Sequence, residues 1–143
     1  MKKIITGTFS VLFLLSAVTL SAQKEKAREK YEFVKEKTIS KTYPASGNKL
    51  SIDNSFGHVK FTGWDKNEIK VDIHIEASSN QENVAQKIFD AINVSDKQQG
   101  NDITFKTKID NKGNDNCKNC KSNMHIDYEV HLPVSVGLNV ANS

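Results

Sequence analysis

Two cysteines, four histidines and a spread of carboxylates are the residues of this chain with the means for chemistry. The cysteines stand together as Cys117-Lys118-Asn119-Cys120, inside a stretch rich in Asn, Asp, Gly and Lys. A thiol oxidoreductase needs one thiolate at a helix start within a βαβ unit. Here Gly113 and Asn114 precede the pair and strand-like sequence follows it, so a local disulfide between Cys117 and Cys120 is the expectation for an exported chain. Zinc takes thiolate and imidazole donors in fours, and Cys117, Cys120, His125 and His131 are four such donors. Six residues of strand separate the two histidines by about 20 Å at about 3.3 Å per residue, too far for a shared ion. No metal and no cofactor are expected.

His74 with Asp72 and Glu76, and His125 with Asp127 and Glu129, put imidazole beside carboxylate on the polar faces of two strands. If those strands pair, the result is a mixed-charge, solvated sheet face. General acid–base catalysis needs in addition a pocket and shifted pKa values, and the sequence implies neither. It contains no nucleophile elbow, no phosphate-cradling glycine loop and no metalloprotease helix motif. Trp64, Phe56 and Tyr43 could form an aromatic platform for a sugar or peptide, but aromatic residues beside turns more often plug the ends of a β core. The expectation is a protein that is not an enzyme.

The elements that position these residues are mainly strands. The stretch Leu50 to Trp64, LSIDNSFGHVKFTGW, reads as two short strands and a turn: Leu50 and Ile52 alternate with Ser51 and Asp53, Asn54-Ser55-Phe56-Gly57 turns, and Val59 and Phe61 resume before Gly63-Trp64. Gly57 is expected to supply a positive φ and Asn54 to bond its own backbone. The motif returns near Ser143, where Leu138, Val140, Asn142 and Ser143 repeat Leu50, Ile52, Asn54 and Ser55. Further strands are expected from Phe33 to Tyr43, Glu68 to Ala77, Ile103 to Ile109 and Met124 to Leu132, each alternating apolar with polar residues. Between them, Ser79-Asn80-Gln81-Glu82 has the capping-box pattern. Val84, Ile88 and Ile92, flanked by Ala85, Phe89 and Ala91, then predict one amphipathic helix over about 80–92.

Residues 1–22 combine a basic start (Lys2, Lys3), the apolar run Val11-Leu12-Phe13-Leu14-Leu15 and a small-residue end, the pattern of a secretory signal cleaved after Ala22. The run is too short for a spanning helix of about 20 apolar residues, so no transmembrane segment is expected after cleavage. Removing 22 of the 143 residues leaves 121, enough for one domain. It also removes two of the 20 basic residues, leaving 18 against 17 acidic ones, which is not the basic footprint of nucleic-acid binding. Residues 23–37, QKEKAREKYEFVKEK, read as a charged leader, and 38–143 as the β domain.

On three groups of residues the chain resembles the N-terminal part of a family of exported bacterial β-solenoid proteins called putative adhesins, a domain of unknown function. These are Leu50 to Val59, Gly63-Trp64 with Ile69-Lys70-Val71, and Tyr128 to Pro133 leading into Leu138 to Ser143. The resemblance covers roughly residues 38–143. It implies that strand, Asn/Gly turn and strand continue into successive coils, each burying its face on the next, so the chain is expected to be a fragment of a longer solenoid. It carries over no catalytic residue. The expected function is an exported structural or adhesin-like protein of the periplasm or cell surface, meeting an unidentified surface or envelope ligand; the alternative is a periplasmic glycan- or peptide-binding module.

Overall fold

The computed structural model describes residues 31–110 and 119–143. The expected signal, residues 23–30 of the leader, and Cys117 lie outside the described residues. In chain order the elements are β1 (Phe33–Pro44), β2 (Lys49–Asn54), β3 (Val59–Gly63), β4 (Glu68–Ser79), α1 (Glu82–Ala91), β5 (Ile92–Gln99), β6 (Asp102–Ile109), β7 (Ser122–Leu132) and β8 (Gly137–Asn142). Phe33 to Lys37, the end of the predicted leader, thus run inside β1.

The described part of the chain is mainly β with one helix, as the alternation predicts. Its strands form two four-stranded sheets, ordered β1-β4-β7-β3 and β5-β6-β2-β8. Period-two alternation gives each strand one apolar side, and the two apolar sides face each other. β4 contributes Ile69, Val71, Ile73, Ile75 and Ala77, all fully buried, and β7 contributes Ile126, Tyr128, Val130 and Leu132. Leu50 and Ile52 of β2 and Ile103 and Phe105 of β6 close the core from the other sheet. Phe105 meets Tyr128 and Tyr43 edge-on at centroid distances of 6.2 and 6.0 Å, a favoured geometry for aromatic pairs.

Strand direction carries the main departure from a simple sandwich. β1–β4, β4–β7 and β5–β6 are antiparallel, while β2–β6, β2–β8 and β3–β7 are parallel. The chain passes from one sheet to the other between β2 and β3, and again between β6 and β7, and the strands on either side pair in parallel, β2 with β6 and β3 with β7. β8 then adds to β2 in the register of the sequence echo: Leu138 beside Leu50, Val140 beside Ile52, Asn142 beside Asn54. The two sheets do not close, and the described residues do not complete a solenoid coil.

Local chemistry differs from expectation at the helix start and at the β2–β3 corner. Ser79 Oγ accepts from the Gln81 N–H at 3.2 Å, but the Glu82 carboxylate pairs with Lys35 Nζ at 3.2 Å instead of reaching back to Ser79, so the reciprocal capping box is not made. α1 buries Ala85 and packs Ile88 and Phe89 on the core, with Lys37 Nζ 5.0 Å from the Phe89 ring centroid. Ile92, expected on the helix stripe, is instead the first residue of β5. At the corner the residue with positive φ is Phe56, at 68°, not Gly57. Gly57 is required by proximity: a Cβ there would stand 2.1 Å from the Ile126 carbonyl oxygen. Asn54 turns away from its own backbone and bonds the Ile126 carbonyl at 2.9 Å.

The β1 edge is tied to β5 by the Tyr43 hydroxyl, which donates to the Asp96 carboxylate. Partial burial, then the hydrogen bond and charge of Asp96, push the phenol pKa from 10.0 up to about 12. The fold therefore favours the neutral phenol. Its contribution is fully present below pH 10 and is lost as pH rises toward 12. In Tyr43→Phe the fall of unfolding free energy across that window is expected to be shallower than in the wild type, read from urea midpoints at successive pH values. Gly57→Ala must displace the Ile126 backbone, and a loss of about 2 kcal/mol or more is expected in the same urea assay at neutral pH.

Candidate functional site

The corner at Asn54 holds a connected, buried polar arrangement among the described residues. Asn54 is 1% exposed, deep between the sheets. Its Oδ1 accepts from the Thr107 hydroxyl at 3.0 Å, and Thr107 Oγ1 lies 2.9 Å from the Tyr128 hydroxyl. A hydroxyl has one proton, so Thr107, having given its own to Asn54, accepts from Tyr128. Burial raises the Tyr128 pKa; the Thr107 hydrogen bond acts against this and Asp53 adds to it. The phenol is therefore protonated at neutral pH and available as donor. The Asn54 amide uses its two protons on Ile126 O (2.9 Å) and Asn142 Oδ1 (3.3 Å), and Asn142 Nδ2 donates to Gly57 O at 3.2 Å. Donation runs one way: Tyr128 of β7 to Thr107 of β6, to Asn54 of β2, to Asn142 of β8, to the Gly57 carbonyl.

Beside this chain, Ser55 Oγ and Ser143 Oγ are 3.0 Å apart, and the Phe56 N–H donates to the Ser143 carbonyl at 3.2 Å. Every position of the sequence echo is thus in contact with its counterpart. Asn142 repeats the action of Asn54 on a neighbouring carbonyl, one strand further along. The difference lies in cover: Leu138 and Val140 are 48% and 40% exposed, whereas Leu50 and Ile52 beneath them are 1% exposed each.

The outward side of the first sheet is the mixed-charge face expected if β4 and β7 pair. They do, with His74 beside Asp127, Glu76 beside His125 and Asp72 beside Glu129. His58 Nδ1 reaches Asp127 at 3.4 Å, so all four histidines border this face. Partial burial works to raise the Asp72 pKa, but hydrogen bonds from Lys70 (2.7 Å) and Ser40 (2.6 Å), with their positive surroundings, hold the carboxyl below its usual range. An open depression of about 390 Å³ runs between His58, Asp72, His74 and Asp127. A second, of about 410 Å³, crosses the starts of β6, β2 and β8 near Lys49 and Asp102.

The three aromatics do not converge. Tyr43 lies on β1, at the opposite edge of its sheet from β3, with its ring against Phe105. Phe56 and Trp64 flank the two ends of β3. Trp64 donates from Nε1 to Glu68 O at 2.8 Å, stacks on His131 at 5.3 Å and carries Lys66 Nζ 4.8 Å above its ring. Cys120 is not a free thiol; its expected partner Cys117, and with it the pairing, lies outside the described residues. His125 and His131 stand on one face, as expected, with His131 against Trp64 and His125 Nε2 2.9 Å from Asn123 Nδ2. The cross-strand role of Asn54 was not predicted; the recurrence of Asn-Ser after each Leu-x-Ile/Val-x is the signal that points to it.

Asn54→Ala removes the acceptor of a buried hydroxyl and the donor to a buried carbonyl, and a loss of about 2–4 kcal/mol is expected from urea unfolding. Asn142→Ala, at the exposed end, is expected to lose less than about 1 kcal/mol. Equal losses at the two positions would contradict the burial gradient.

No protein-family model matches the chain, and no curated protein does. Among solved structures it is similar to a "putative cell adhesion protein" from Clostridium sporogenes, at 12% identity and a TM-score of 0.43, over 76% of this chain and 47% of that one. It is also similar to a "putative adhesin" from Parabacteroides distasonis, at 11% identity and a TM-score of 0.31, over 74% of this chain and 40% of that one. The chain spans less than half the length of either protein. At such identities and TM-scores neither likeness bears on what the chain does.

Proposed function

We propose that this protein is an exported, non-catalytic scaffold of adhesin-like type, in which β6, β2 and β8 are successive rungs at the start of a β-solenoid. The observation that carries the reading is the in-register parallel stacking of the sequence echo, Leu50 to Asn54 against Leu138 to Asn142. Matching inward residues at matching rungs, Leu with Leu, Ile with Val and Asn with Asn, are what a stacked repeat requires, because each coil buries its apolar side against the next and aligns its turn residues into ladders. The stack has a filled end, where α1 lies against β1 and β4, and an end at β8 where the inward-facing Leu138 and Val140 are half exposed. Terminal caps of this kind are a requirement of repeat architectures. Export rests on the signal pattern of residues 1–22.

On this reading the chain meets its partner through sheet faces, with the Cys117–Cys120 clip holding the β6–β7 loop. The partner is a surface or envelope ligand. The glycan or peptide module is less well supported, because Tyr43, Phe56 and Trp64 stand in separate places.

The test is hydrogen–deuterium exchange on the natural gene product isolated from its source cells, with fractionation of those cells. Recovery in the envelope fraction with Gln23 as first residue, and slow exchange of the β8 amides that point away from β2, are expected. Cytoplasmic recovery with an intact N-terminus, or exchange of those β8 amides at the rate of an unpaired edge, overturns the reading.

A further inference from the structure

The outward face of the first sheet holds an arrangement that stacking does not use. Glu36 of β1, Glu76 of β4 and His125 of β7 form one row across three strands, and Thr38, His74 and Asp127 form the next. Adjacent strands are about 4.8 Å apart and residues two apart on a strand share a face, so the rows make a compact grid of donor side chains. Within it, one ligand atom each from Glu36, His74 and Glu76 lies within 4.8 Å of the others. His74 Nε2 is 3.9 Å from Glu36 Oε2.

Two features of this cluster point to a cation. The first is donor chemistry: one imidazole and two carboxylates, with a second imidazole, His125, as the direct neighbour of Glu76. Imidazole with carboxylate suits zinc-class ions, whereas calcium takes six to eight oxygens. The second is the juxtaposition of Glu36 and Glu76 in direct cross-strand register. Like charges placed opposite each other destabilise a strand pair, and a shared divalent cation turns that repulsion into a bond between an edge strand and its neighbour. Bonds of about 2.1 Å set tetrahedral donors about 3.4 Å apart. The present spacing is wider, so binding requires these side chains to turn inward, together with His125, which lies outside the three-residue cluster.

We propose that Glu36, His74 and Glu76 bind one zinc-class divalent cation that clips β1 to β4, with His125 completing the donor set. The site is separate from the cysteine pair and does not rest on the solenoid reading. The test titrates the purified protein with zinc chloride by calorimetry and follows the imidazole resonances by NMR. One equivalent of zinc is expected, with the His74 and His125 ring signals shifting and those of His58 and His131 staying in place. His74→Ala and Glu76→Gln are each expected to weaken binding about tenfold or more. Glu129→Gln on the same face, and the Cys117→Ser/Cys120→Ser double variant, are expected to leave it unchanged, with circular dichroism confirming that each variant is folded. Absence of zinc uptake, uptake unaltered in His74→Ala, or uptake abolished by loss of the cysteines each overturns the proposal.

Discussion

The hydrogen-bonded chain from Tyr128 through Thr107, Asn54 and Asn142 to the Gly57 carbonyl is the constraint on which the architecture depends. It crosses β7, β6, β2 and β8, and its first three members are almost wholly buried. A buried donor or acceptor without a partner costs about 1–3 kcal/mol, so each strand is held in the one register that satisfies its neighbours. Apolar packing alone is less selective. A two-residue slip of β2 on β6 would still bury isoleucine and leucine, but it would leave Asn54 facing no hydroxyl. The core supplies most of the free energy at about 25 cal/mol per Å² buried, and the polar chain selects the alignment.

Much of this was legible in the alternation of the sequence. β4 and β7 carry five inward apolar residues each, the pattern of a half-buried strand, and the buried sets are the predicted ones except that Met124 of β7 is only partly buried. β5 was not legible: after Ile92 and Val94 it continues Ser95-Asp96-Lys97-Gln98-Gln99, because an edge strand can satisfy its outer backbone with water and needs few apolar groups. The helix ended earlier than its stripe suggested, since Ile92 serves a period-two face as well as a helical one. At Gly57 the residue type was informative but the cause was misassigned. Close approach of the Ile126 backbone, not a left-handed φ, excludes a side chain, and such proximity arises from tertiary packing that local sequence does not contain.

The outward face of the first sheet was legible in composition and conditional in arrangement. His74 and His125 were each expected beside carboxylates on a wet strand face, and the pairing of β4 with β7 determined which carboxylate meets which imidazole. The position of β1 was the missing piece. Its Glu36 was expected both at the end of a charged leader and within the strand Phe33 to Tyr43, but the partner of that strand was not legible; paired with β4 it stands beside Glu76 and 3.9 Å from His74. An antiparallel edge added from the chain start thereby converts scattered surface charge into a cluster. The aromatic residues show the opposite effect, for residues close in sequence were separated once β3 was inserted between Phe56 and Trp64.

The two sheets have four strands each but are displaced by one strand, and the ends of the molecule differ as a result. Because β6 leads into β7 and β2 into β3, β1 has no counterpart in the second sheet and β8 has none in the first. At the β1 end, α1 and the Tyr43–Asp96 contact occupy the space beneath the projecting strand. At the β8 end the projection forms a ledge one strand deep, with Leu138 and Val140 on its underside and the β3 edge as its riser. A flat surface cannot seal a ledge of that shape. In the solenoid proposed above, the next coil would have to seat a strand against β3 with apolar side chains directed under β8, so the shape and polarity of this end constrain that proposal.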